Sequence, residues 1–70
     1  MFYWFERRGQ YIRYEIRFFK SGEYEFAMID ADGAEHVERY TDGSEFSKRQ
    51  HEFEQTLIVQ GWAGPYGRNA

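Results

Sequence analysis

Between residues 11 and 18 the chain alternates with a period of two: Ile12, Tyr14, Ile16 and Phe18 are apolar or aromatic, while Arg13, Glu15 and Arg17 between them are charged. Residues 23–30 repeat the rhythm, with Tyr24, Phe26 and Met28 set against Glu23 and Glu25. Strict alternation marks a β-strand with one face toward a core. Glycines at 9, 22, 33 and 43, each after a polar or charged residue, punctuate the chain at hairpin spacing. The pattern predicts a four-stranded antiparallel meander over 2–40, with strands near 2–7, 11–20, 23–30 and 34–40.

Turn length decides which residues face each other. A two-residue loop pairs even with odd positions, whereas a three-residue loop ending in a left-handed glycine pairs even with even. The second and third strands both carry their apolar face on even positions, so a loop of Lys20, Ser21 and Gly22 is expected. It sets Phe18 opposite Tyr24, Ile16 opposite Phe26 and Arg17 opposite Glu25. The same logic with Arg7, Arg8 and Gly9 sets Trp4 opposite Ile12 and Phe2 opposite Tyr14. For the fourth strand, a loop of Ala31, Asp32 and Gly33 turns His36 and Tyr40 inward. A two-residue Asp32-Gly33 turn turns Val37 inward instead. The three-residue loop is preferred, with the fourth strand a more polar edge.

After Gly43 the period changes. Phe46, Phe53 and Leu57 share one helical face, with Ile58 beside it. Asp42 or Ser44 can cap the start, and Asp42 with Glu45 matches a capping-box variant. Gly61 suits the position just past the helix, which lets Trp62 fall back on Leu57. One helix over 44–60, about 24 Å long at 1.5 Å per residue, can cover one face of the sheet. The closing "GWAGPYGRNA" is expected to form an irregular flap over 61–70, with Arg68 to Ala70 frayed. The fold class is therefore α+β, ββββα, in one small domain of residues 1–70.

Seventy residues support only a thin core; a chain this size buries about 60% of its unfolded surface. With no cysteine, disulfides and thiolate metal sites are excluded, leaving oligomerisation as the available helper. Aromatic residues make up 21% and charged residues 30%, which describes a core of large rings rather than a disordered chain. The net charge of −3 lacks the basic footprint of a duplex-DNA binder. No run approaches a membrane span, and "MFYWFERR" has the reverse order of a secretory signal. A cytoplasmic protein is expected.

Candidate chemistry is thin. "HEFEQ" at 51–55 begins like a zinc-protease helix, but position 55 is Gln55 where a second histidine is needed. "DADGAE" at 30–35 has some carboxylates of a calcium loop, yet Asp32-Gly33 after an alternating strand is a hairpin turn. His36 and His51 lack a third metal ligand. Ser21, Ser44 and Ser47 sit where serine serves the local backbone. Glu23, Glu25, Glu35 and Glu38 suit pairing with arginines across strands better than a glycosidase cleft. No catalytic residue, cofactor or metal is expected.

What stands out is the sheet face away from the helix. In this register it carries Tyr3, Phe5, Tyr11, Arg13, Arg17, Phe19 and Ile29, with Arg7 and Ala27. That mixture is too apolar for an ordinary wet surface and too charged for a core. Tyr and Arg are enriched at interfaces. Self-association as a homodimer, through this face or the edge of the first strand, or binding to another protein, is the expectation. The alternative is a single-stranded nucleic-acid platform of rings and arginines, disfavoured by the net negative charge.

Overall fold

The computed structural model describes residues 1–68. It is α+β: a five-stranded antiparallel sheet with one helix on one face. The strands are β1 (Phe2–Arg7), β2 (Gln10–Phe18), β3 (Tyr24–Ile29), β4 (Glu35–Tyr40) and β5 (Ala63–Arg68), with α1 (Gly43–Val59) between β4 and β5. The spatial order is β4-β3-β2-β1-β5. The helix thus leaves one edge of the sheet and delivers the chain to the other.

The β2–β3 hairpin forms as its alternation requires. Phe18 lies opposite Tyr24, Ile16 opposite Phe26 and Arg17 opposite Glu25. Lys20, Ser21 and Gly22 form the loop, closed by the Phe19 N–H donating to the Glu23 carbonyl at 2.9 Å. Gly22 takes φ +91°, a left-handed backbone that a side chain would strain. The β3–β4 hairpin repeats the device over Ala31, Asp32 and Gly33, with Asp30 N–H donating to the Ala34 carbonyl at 3.0 Å. His36 and Tyr40 therefore oppose Met28 and Tyr24, on the helix side. The "DADGAE" stretch is this turn: one Asp30 carboxylate oxygen accepts from the N–H groups of Asp32 and Ala34, each at 3.0 Å.

The first hairpin departs from expectation. Its loop is two residues, Arg8 (φ 51°) and Gly9 (φ 77°), so odd positions of β1 meet even positions of β2. Phe5 pairs with Ile12 and Tyr3 with Tyr14, while Phe2 and Trp4 oppose Glu15 and Arg13. Paired left-handed residues are the two-residue turn whose twist suits a hairpin. Packing selects this phase. Phe5 is fully buried, and Tyr3 stacks on Tyr14 with centroids 5.0 Å apart.

The expected flap is instead a fifth strand. Its backbone pairs with β1, Tyr66 opposite Trp4 and Arg68 opposite Phe2, so Arg68 is not frayed; Asn69 and Ala70 lie outside the described residues. Between Trp4 and Glu6 the register slips, leaving Gly64 and Pro65 against Phe5 alone. Gly64 has φ +143°, and a Cβ there would come within 2.9 Å of both the Phe5 ring and the Trp4 carbonyl. Proline is tolerated because β5 is an edge strand. β1 consequently has no free edge, so pairing through that edge is ruled out.

The helix is capped as its sequence suggests at both ends. The Asp42 carboxylate accepts from the Ser44 N–H at 2.9 Å. Past the last turn, Gly61 and Trp62 N–H groups donate to the Ile58 and Leu57 carbonyls, each at 3.0 Å. No basic residue occupies the last turn; Arg7 of β1 supplies the cation, donating to the Gln60 carbonyl at 2.8 Å and lying 4.6 Å over the Trp62 ring.

Phe46 and Phe53 insert between sheet rings. Phe46 stacks on Tyr24 at 4.8 Å, and Phe53 meets Tyr14 and Phe26 edge-on at 5.2 and 5.3 Å. Phe5, Tyr14, Phe26, Met28, Phe46, Leu57 and Trp62 form the buried core, with Ile12 and Ile16 packed against it. Phe18, at the margin, stays 66% exposed. The Tyr14 hydroxyl donates to Glu54; burial, then that hydrogen bond and the adjacent charge, push the phenol well above its ordinary pKa. Glu38 accepts from Arg49, at 2.8 Å, and from Tyr40, at 2.6 Å, with His36 3.0 Å away.

Candidate interaction face

Among the described residues nothing covers the face of the sheet opposite the helix. The helix contributes all its rings to one side, and among the described residues no other element remains to cover the second. The phase of β1 gives this open face Phe2, Trp4 and Glu6. β2 contributes Tyr11, Arg13, Glu15 and Arg17; β3 contributes Glu25, Ala27 and Ile29; β4 contributes Glu35, Val37 and Arg39. β5 adds Tyr66, whose ring centroid lies 5.8 Å from that of Trp4. Phe2, Tyr11 and Tyr66 are 44%, 50% and 46% exposed.

The expected face is thereby corrected at three positions, the third being Arg7, which turns to the helix side and meets Gln60 and Trp62. Tyr3 and Phe5 point into the core, and their neighbours Phe2 and Trp4 replace them outside. Tyr11, Arg13, Arg17 and Ile29 lie on the open face, and Phe19, one residue beyond β2, is 40% exposed. The swap strengthens the aromatic character, because Trp4 now has Tyr66 beside it. Tyr66 was hidden from sequence reasoning inside a Gly/Pro-rich segment. Phe2 and Trp4 were hidden because a run of four aromatics carries no phase.

The face divides into two zones. Over β2, β3 and β4 lies a chain of ion pairs. Arg17 donates to Glu15 and, at 2.9 Å, to Glu25, which also sits 3.2 Å from Arg39. The two guanidiniums wall off Glu25, which is only 6% exposed although no layer covers it. Hydrogen bonding to Glu15, then its charge, raises the pKa of Arg17. Opposite charges meeting directly across strands stabilise the sheet by about 0.2–1 kcal/mol per pair.

The other zone is a groove of about 730 Å³ between the first hairpin and the β3–β4 loop. Its walls include Phe2, Trp4, Tyr11 and Arg13 on one side and Asp30 and Asp32 on the other. Arg13 has no ion pair among the described residues, unlike Arg17, Arg39 and Arg49. Among the described residues no group of three or more His, Asp or Glu side chains is arranged to hold a metal ion. No helix is long and apolar enough to cross a membrane among those residues.

Compared with protein-family models, with curated proteins and with solved structures, the chain has no match.

Proposed function

We propose that this is a small non-enzymatic interaction module of the cytoplasm that self-associates through the open face of its sheet. One observation carries the reading: a sheet with one face packed by a helix leaves Phe2, Trp4, Tyr11 and Tyr66 gathered on the other, with no element among the described residues above them. Exposed rings gathered around a half-buried tryptophan in this way mark interaction sites. A second copy would add burial to the thin core that 70 residues can build. The edges favour the face as the contact. β5 carries Pro65 and β4 carries Glu35, Glu38 and Arg39, features that blunt edge-to-edge pairing.

The test is the mass in solution by sedimentation or light scattering, from low micromolar to millimolar chain. A dimer is expected, weakened by Trp4→Ser and by Tyr66→Ser and untouched by the distant Val59→Ser on the exposed helix end. A monomer at every concentration overturns the reading.

A nucleic-acid reading draws on the same rings together with Arg13, which has no ion pair among the described residues. Against it, Arg17 and Arg39 are already occupied by Glu15 and Glu25, and those carboxylates oppose phosphate. Salt-dependent binding of oligo-dT or oligo-U at low salt, lost in Trp4→Ser, would favour it; the absence of binding removes it.

A further inference from the structure

Resting on the self-association reading, we propose that the contact is two-fold symmetric and centred on the groove, with Arg13 of each copy paired to Asp32 of the other. A two-fold contact brings one patch against itself, so an unpaired cation on that patch needs an unpaired anion on the same patch. The groove holds both. Arg13 stands between Trp4 on β1 and Ile29 on β3, neither able to neutralise it. Its neighbour along the strand, Glu15, is taken by Arg17.

Across the groove, Asp30 is committed to its own turn through two backbone N–H groups. Asp32 is exposed at the loop tip, and its carboxylate has no ion pair among the described residues. The side formed by the first hairpin, which carries the rings, is thus positive, and the side formed by the β3–β4 loop is negative. A half-turn about an axis through the groove sets each positive wall against a negative one, and brings Phe2, Trp4 and Tyr11 of the two copies together. The charge arrangement suits a second copy better than a phosphate polymer, which Asp30 and Asp32 would repel, so the occupant is another molecule of this chain.

The decisive experiment is a charge swap read by sedimentation. Arg13→Asp and Asp32→Arg should each weaken the dimer by about tenfold or more, since each places two like-charged pairs in a symmetric contact. The combined Arg13→Asp/Asp32→Arg chain should recover most of the affinity. Arg13→Gln and Asp32→Asn should each give a smaller loss. Both positions are exposed, so circular dichroism and thermal unfolding should match the parent and separate contact effects from folding. A double variant no tighter than the single ones overturns the pairing. A dimer indifferent to both single swaps but weakened by Trp4→Ser overturns it while leaving face-to-face association standing. A parent chain that never dimerises overturns both.

Discussion

Tyr3 and Tyr14 face each other directly across β1 and β2, with their rings stacked 5.0 Å apart at 17°. That pair fixes the phase of β1, and with it the identity of the open face. Phe5, two residues on, is fully buried, whereas Phe2 is 44% exposed. Removing a buried phenylalanine ring costs about 3–5 kcal/mol. Phe5→Ala should therefore lose about that much stability in urea denaturation, enough to unfold a domain of this size outright. Phe2→Ala should stay within about 1 kcal/mol of the parent under conditions where the chain is monomeric. A larger loss at Phe2 than at Phe5 would mean that β1 has the opposite phase.

That contrast shows where the sequence could be read and where it could not. In β2 and β3 charge alternates with apolar residues, so only one phase buries the rings. The three-residue loop then follows, and with it the outward positions of Tyr11, Arg13, Arg17 and Ile29. β1 begins Phe2-Tyr3-Trp4-Phe5, where either phase buries two aromatics, and "RRG" accommodates a loop of two residues or three. The choice is made by tertiary packing: Phe5 over Gly64, and Tyr3 beside Gly67, where a Cβ would approach its ring to 3.1 Å. β5 could not be foreseen locally, because its glycines and proline disfavour strand in isolation. They are tolerated at an edge, where Gly64 and Gly67 leave room for rings on β1.

Arg8 holds φ 51° in the first turn without being glycine. A left-handed backbone costs an ordinary residue roughly 1–2 kcal/mol, and asparagine tolerates it better. Arg8→Asn is therefore expected to raise stability by about 0.5–1 kcal/mol, in line with other relieved turn positions. The measurement is the thermal midpoint under conditions where the chain is monomeric. A lowered midpoint would indicate that Arg8 contributes a favourable interaction outweighing its backbone conformation.

Arg7 joins the end of β1 to the end of α1, through the Gln60 carbonyl and the face of Trp62. Arg7→Met keeps an apolar stem over the indole and removes only the charge and the donor. The cation–π contact contributes about 0.5–1 kcal/mol at an exposed site. The charge at a helix C-terminus contributes about 0.3–1 kcal/mol. A combined loss of about 1–2 kcal/mol is expected in denaturant titrations, with Arg7→Lys falling between the parent and Arg7→Met because lysine keeps the charge but not the planar stack. If Arg7→Lys were as damaging as Arg7→Met, the planar guanidinium rather than the charge would be the stabilising element.

Glu38 gives stability an acid-sensitive component. Partial burial by itself would raise its pKa, but hydrogen bonds from Arg49, Tyr40 and His36 outweigh it and bring the value from 4.5 to about 2. A carboxylate whose pKa is lower in the folded state stabilises the fold fully above the unfolded value. That contribution is lost as pH falls through the folded value. The window here runs from about pH 5 down to about pH 2. Allowing for solvent screening around a partly exposed group, the effect is of order 1 kcal/mol. Glu38→Gln isolates it, since glutamine keeps the shape and cannot ionise. The difference in unfolding free energy between parent and Glu38→Gln should be constant from pH 7 to about 5 and shrink toward pH 2. A difference that stays flat across that range would mean that Arg49 and Tyr40 hold the side chain equally well without its charge.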